Sequence, residues 1–396
     1  MKNIKKYLFS VFVAAFMFYI IKYPKSSTDI VLRGLNLCYL VIIPVIFPFL
    51  AFSKMFIYSS FFGFLGRVLN KPARFLFGIS GEYANAFLIG GIAGFPIGAK
   101  TVKEVYLTGR ANKNEAERTL AFCNNCSVSF VISAAGIAVF GNFTIGLYLF
   151  CIQLISSIIT GIIIRFIFVT KSVGARIARP PIHSNKPEIN FTETISESVT
   201  GILNICGTVL FFFIVTNITF EYLKYIPVIS DFLDPQKHGA VSGLVKSLIS
   251  GTFEISAGIY SLADFSVPVY YNLILSSIIL AWSGISIHFQ ILYTLKNTGL
   301  SLKPYFTGKI IHVIISVLIT ILSFRFFQIS DYSANITANF EDYPVFLNNF
   351  DSYTAGLILT GIISAAVTIS AAITVIICYL FEKNSKNRKK QYNIRV

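Results

Sequence analysis

Several apolar stretches of the chain carry residues that an apolar stretch does not need for its structure. In Gly90-Gly91-Ile92-Ala93-Gly94-Phe95-Pro96-Ile97-Gly98-Ala99-Lys100, four glycines and a proline interrupt an otherwise helix-forming run. Glycine and proline make a regular helix costly there. Backbone freed at membrane depth must face protein or a water-filled cavity, because lipid offers no hydrogen-bond partners. A re-entrant tip of this kind presents helix N-termini, whose unpaired N–H groups and partial positive charge suit an anion. Gly94, Phe95, Pro96 and Gly98 are therefore substrate-binding candidates, and Lys100 could supply the matching charge. The alternative is a tight helix crossing that ends on a lysine at the cytosolic interface.

Three further clusters invite the same question. Phe122-Cys123-Asn124-Asn125-Cys126-Ser127-Val128-Ser129 puts two amides inside a span running from about 116 to 139. Asn124 and Asn125 must be satisfied within the bundle, either as substrate ligands or as interhelical hydrogen-bonding groups. Glu254, in Ser250-Gly251-Thr252-Phe253-Glu254-Ile255-Ser256-Ala257-Gly258, is the acid expected at membrane depth. It is the candidate carrier of a coupling proton, the alternative being a helix end near water. Trp282-Ser283-Gly284-Ile285-Ser286-Ile287-His288-Phe289-Gln290 joins a glycine break to two hydroxyls, an imidazole and an amide. Ser283, Gly284, His288 and Gln290 enter the substrate-binding set, although a membrane histidine is also a common packing residue.

Other chemistry is not indicated. Cys123 and Cys126 form a C-x-x-C spacing without a second pair, a suitable histidine or a βαβ pattern, so metal binding or redox work is not expected. His183 and His238 fall in loops, and His312 reads as alone on an apolar helix. No zincin, nucleophile-elbow or phosphate-loop signature is present, and no catalytic residue, metal or cofactor is expected.

The elements that would position these residues are membrane helices. Of 396 residues 55% are hydrophobic and 13% charged, about half the charged share of an average soluble domain. Apolar segments at 7–21, 30–52, 116–139, 143–168, 196–222, 268–294, 305–327 and 353–381 approach the roughly 20 residues needed to cross a bilayer. Broken stretches lie at 82–106 and 239–263. The fold expected is an all-α polytopic membrane protein of about eight transmembrane helices plus re-entrant or broken helices. Lys2, Lys5 and Lys6 precede 7–21, but no small-residue cleavage site follows it, which reads as a retained first helix.

The net charge of +15 sits at the ends of apolar segments, where it orients spans and does not call for nucleic acid. Both termini and the basic linker 171–195, with Lys171, Arg176, Arg179 and Lys186, should be cytosolic, and the acidic loop 328–352 should lie on the opposite side. The expected organisation is an N-terminal helix and loop at 1–29, a first half at 30–170, the linker, a second half at 196–327, the loop, a final helix at 353–381 and a basic tail at 382–396. In the second half, either 239–263 or the region around Trp282 is the re-entrant piece. A weak repeat relates the halves. Leu35-Asn36-Leu37-Cys38 matches Leu203-Asn204-Ile205-Cys206, and Gly94, Ile97, Thr108 and Gly109 match Gly284, Ile287, Thr298 and Gly299. With opposite starting sides the halves would be inverted, as in many secondary transporters.

Gly94-Phe95-Pro96-Ile97-Gly98-Ala99-Lys100, Glu115-Ala116-Glu117-Arg118, Phe122-Cys123-Asn124-Asn125 and Gly284-Ile285-Ser286-Ile287-His288-Phe289-Gln290 together resemble the YlbJ-type sporulation integral membrane proteins, related to the nucleoside-recognition or gate-domain families. The resemblance runs roughly from 30 to 321. The chain departs from the pattern at Cys126-Ser127-Val128, where small residues and a proline are usual, and at Ser283, where a glycine is more usual. The resemblance implies an endospore former and movement of dipicolinate, a small anion, out of the mother cell across the outer forespore membrane. The partners are then that anion and the lipid bilayer, with no nucleic acid. A nucleoside or other small-metabolite transporter, a non-transporting assembly factor of the spore envelope, and an intramembrane enzyme are the competing readings.

Overall fold

The computed structural model describes residues 2–109, 111–168, 191–227, 230, 235–263 and 268–324. The expected loop 328–352, the final helix 353–381, the tail and most of the linker lie outside the described residues. Among the described residues the regular structure is helical, without strands. The helices are α1 (Lys2–Lys22), α2 (Pro24–Leu37), α3 (Ile43–Tyr58), α4 (Ser60–Leu76), α5 (Gly81–Ala93), α6 (Ile97–Leu107), α7 (Lys113–Leu120), α8 (Val128–Val139), α9 (Phe143–Ile167), α10 (Phe191–Leu223), α11 (Pro235–Phe253), α12 (Ile255–Ser261), α13 (Val269–Trp282), α14 (Gly284–Thr294) and α15 (Lys303–Ser323). A π-helical turn, Cys38–Ile42, joins α2 to α3, and Val131–Val139 of α8 is π-helical as well.

Among the described residues, α9, α10, the run Val269–Thr294 and α15 are long and apolar enough to cross a membrane. Their exposed faces carry Ile155, Phe166, Phe211, Leu318 and Leu322, as lipid contact requires. α4 is different. It leaves α3 at 78° and buries Phe62, Gly66 and Ala73 while Arg67, Lys71 and Arg74 stay exposed, the pattern of a helix lying along a surface.

Three differences from expectation matter for the site. Residues 24–29, expected as loop, are the first turns of α2, and α10 already begins at Phe191, inside the expected linker. The apolar run 116–139 is not one helix, because residues 121–127 leave helical geometry between α7 and α8. In the second half both candidate stretches are broken: α11 folds back on α12 around Glu254, and the run through Trp282 is interrupted at Ser283.

The hairpins α5–α6 and α11–α12 have stems of glycine. Gly90 and Gly98 face each other across the Gly94 turn, and a side-chain carbon on either would collide with the carbonyl of Cys123. Gly251 and Gly258 stand in equivalent places about Glu254, with their backbones in contact. A polar hub anchors the first hairpin. Asn112 caps α7 by accepting from the Glu115 amide (2.8 Å) and donates to Glu115 Oε1 (2.9 Å), a reciprocal capping arrangement. Glu115 Oε2 accepts from the Ser80 amide (2.8 Å), and Arg118 donates to the Gly78 carbonyl (2.7 Å). Glu117 reaches the second half by accepting from the Ser301 amide (2.7 Å). The Glu115-Ala116-Glu117-Arg118 motif is thus a structural staple.

Candidate functional site

Helix α15 has one polar face. Tyr305, Lys309, His312, Ser316 and Thr320 follow at spacings of four and three, which aligns them along one side of a helix, and all five are buried. The facing helix α9 answers with Gln153, Ser156, Ser157 and Thr160, also buried. His312 Nε2 lies 3.2 Å from the Gln153 carbonyl, Gln153 Nε2 donates to Ser316 Oγ (3.5 Å), and Thr320 pairs with Ser277 of α13 (2.7 Å). His312 is therefore not isolated on an apolar helix, contrary to expectation.

At the centre of this face the Lys309 ammonium, 1% exposed, joins the broken elements. It donates to the carbonyl of Asn124 (2.9 Å) in the first break, and to the carbonyl of Ala281 (3.2 Å) and the hydroxyl of Ser283 (2.8 Å) in the second. It also lies over the ring of Phe95 at the tip of the first hairpin, 5.3 Å from the centroid. The Ala281 carbonyl sits at the end of α13, where the helix dipole favours a cation. Among the described residues no carboxylate pairs with this ammonium.

Each break has its own local cause. In the first, Asn124 Nδ2 donates back to the Leu120 carbonyl (3.0 Å), Asn125 Nδ2 to the Phe122 carbonyl (3.1 Å), and Ser127 caps α8 by accepting from the Phe130 amide (3.2 Å). The break forms without a proline among residues 121–127. In the second, Ser283 (φ +78°) and Gly284 (φ +80°) are consecutive left-handed residues. Serine pays strain in that conformation that glycine would not. Its hydroxyl is held by Lys309.

The sequence candidates divide accordingly. Phe95, Asn124 and Ser283 meet at Lys309, with Gly94 (φ +81°) and Gly98 packed on the first break; Pro96 is buried in the same turn. Asn125 turns instead to α9, donating to Ser157 Oγ (3.3 Å). His288 Nδ1 lies 2.6 Å from the Tyr305 hydroxyl, one turn from Lys309, and its ring stacks edge-on with Trp282. Glu254 abuts Gly284 and caps α12 by accepting from the Ala257 amide (2.7 Å). Gln290 is buried on α14, and Lys100 is half-buried on α6; neither figures among the contacts of the ammonium. Several atoms of this set are buried without a hydrogen-bond partner: Asn124 Oδ1, Asn125 Oδ1, Glu254 Oε1, His288 Nε2 and both amide atoms of Gln290. Sequence reasoning missed Lys309, though the helical spacing from Tyr305 to Thr320 would have found it.

Among the described residues no group of three metal-ligating side chains comes together. No family model and no solved structure matches the chain. The sporulation integral membrane protein YlbJ of Bacillus subtilis (strain 168) is 24% identical to it over 399 residues, covering 93% of this chain and 95% of that protein. As its motifs imply, the chain is YlbJ-like over nearly its whole length, a helical protein of the membrane.

Proposed function

We propose that the chain transports a small anionic metabolite, dipicolinate leaving the mother cell during sporulation, and is not an enzyme. The observation that carries this is the buried Lys309 ammonium, placed where both broken elements meet and hydrogen-bonded to neutral oxygens only. A buried charge without an opposite partner is costly, so the site gains most from a ligand of negative sign. A relative that is a sporulation integral membrane protein is consistent with this role. The polar faces of α9 and α15 count against a purely structural assembly factor, which has no use for a buried cation.

An inverted repeat fits the same picture. Each half offers a glycine-stemmed hairpin packed on a broken helix, and the matched residues Cys38 and Cys206 touch, the Cys38 thiol lying 3.7 Å from the Cys206 carbonyl. Residues matched across a two-fold meet in this way only near its axis. In this pairing the Gly94 turn corresponds to the Glu254 turn, not to Gly284. With the expected orientation, both termini are cytosolic and the membrane is the outer forespore membrane.

A second reading has its own support. Asn124 Oδ1 and Asn125 Oδ1 are acceptors lacking donors, which a nucleoside could supply and dipicolinate in its dianionic form could not. Uptake of radiolabelled dipicolinate and of a radiolabelled nucleoside into proteoliposomes separates the two. Saturable uptake of dipicolinate alone is expected; uptake of the nucleoside alone would replace the anion reading.

A further inference from the structure

A lysine that is to grip a substrate carboxylate needs a free N–H. Lys309 has three N–H groups and three oxygen partners, so every donor is spent on the protein. It acts on a ligand through its charge and not through contact. What surrounds it is the environment of a bound monovalent cation: two backbone carbonyls released by helix breaks, a hydroxyl and an aromatic face, without a carboxylate. Oxygens of this kind, presented by unwound backbone inside a membrane bundle, are the ligands that hold coupling ions. Here the cage is occupied by a side chain of the chain itself.

We propose that Lys309 is a built-in coupling cation, its tethered ammonium filling a cage that would otherwise take an alkali-metal ion, and that the ion exchanged with solution at this point is a proton. The proposal rests on the transport reading above. The step balances simply: the ammonium passes one proton to a water molecule admitted when the cage opens, giving a neutral amine and a hydronium ion, and is reprotonated from water on the other side. A neutral amine has two N–H groups for three oxygens, so deprotonation removes one tie and the charge that binds the others. Because Asn124 and Phe95 belong to the first half while Ala281 and Ser283 belong to the second, that loss loosens the two breaks from each other, while the contacts of α9 with α13 and α15 still join the halves. The titratable groups facing the amine are Cys123 and Cys126 from the first break, His288 from α14, and Tyr305 and His312 on α15 itself.

The test needs no substrate. Thermal unfolding of the purified full-length protein in detergent is compared in sodium chloride and in choline chloride at equal ionic strength, for the wild type, Lys309→Ala and Lys309→Ser. The wild type is expected to be indifferent to sodium, and the variants, whose cage is vacated, are expected to gain several degrees in sodium over choline. Variants that fold but show no sodium-specific gain overturn the proposal. A sodium-specific shift in the wild type, which is measurable whether or not the variants fold, also overturns it. Failure of dipicolinate uptake in proteoliposomes would remove the proposed substrate without touching this result.

Discussion

At the first break, residues 121–127 leave the helix altogether, and the asparagine pair turns its amide groups back onto the freed carbonyls. At the second, Ser283 and Gly284 alone interrupt the path, and the strained conformation is held from outside by Lys309. The hairpins differ in the same sense. The Gly94 turn has no ionisable side chain, whereas the second turn is built on the buried carboxyl of Glu254. The first region is thus closed by its own amides, and the second depends on a charge and an acid. Selection of a ligand is better assigned to the first, and change of state to the second.

The largest effect should follow from breaking the link between them. Lys309→Met, one atom shorter, removes the charge and all three hydrogen bonds and leaves the Asn124 carbonyl without this donor, at roughly 1–3 kcal/mol. Dipicolinate flux at matched membrane levels should fall by at least two orders of magnitude; flux within threefold of wild type would mean the two regions work without the ammonium. Asn125→Ala and His288→Ala come next, each expected to lower flux by about tenfold or more without preventing insertion, in line with the cost of unpaired buried groups. Near-normal flux in both would remove these side chains from the site.

A sharper form of the comparison replaces glycine. Both Gly94 and Gly284 have left-handed backbone, but a methyl on Gly94 would come within 2.6 Å of the Ser127 amide nitrogen, against 3.1 Å from the nearest atom at Gly284. Gly94→Ala should therefore lower the unfolding midpoint more than Gly284→Ala, and the reverse order would contradict the geometry. The smallest effects belong to His312→Ala and Glu254→Gln. His312→Ala gives up one hydrogen bond to the Gln153 carbonyl and leaves a cavity, so it should lower the unfolding midpoint but leave flux intact. Glu254→Gln keeps an acceptor for the Ala257 amide, so its stability should be nearly unchanged. Altered flux in that variant alone would mark Glu254 as a second proton carrier.

Much of this architecture is legible in residue types. The glycine-rich stretch at 90–98 and the glycines flanking Glu254 announce breaks because few other residues tolerate backbone in contact with backbone. The break at 121–127 was not legible from apolarity, since its residues are nearly as apolar as those of a helix; only the asparagine pair marks it. Ser283 was legible as polar but not as left-handed, a conformation imposed by tertiary contacts. Lys309 escaped attention because α15 is apolar when averaged along its length, and averaging hides a face. Gln153 and the hydroxyls of α9 were overlooked for the same reason.

The polar face of α15 bears also on how the protein is made. A helix with Lys309 in its second turn enters lipid less readily than a wholly apolar one, since a lysine within a span costs free energy during insertion, less toward the end than the roughly 2.5–3.5 kcal/mol at the centre. The acceptors that offset this cost lie on segments synthesised earlier: Asn124 in the first half, Ala281 and Ser283 just before. α15 is therefore a passenger that must be received by helices already in place, so assembly of the bundle has an order written into it. In a host protein α15 should insert less completely than its Lys309→Leu variant, and the difference should shrink when the segment follows its own α9 and α13.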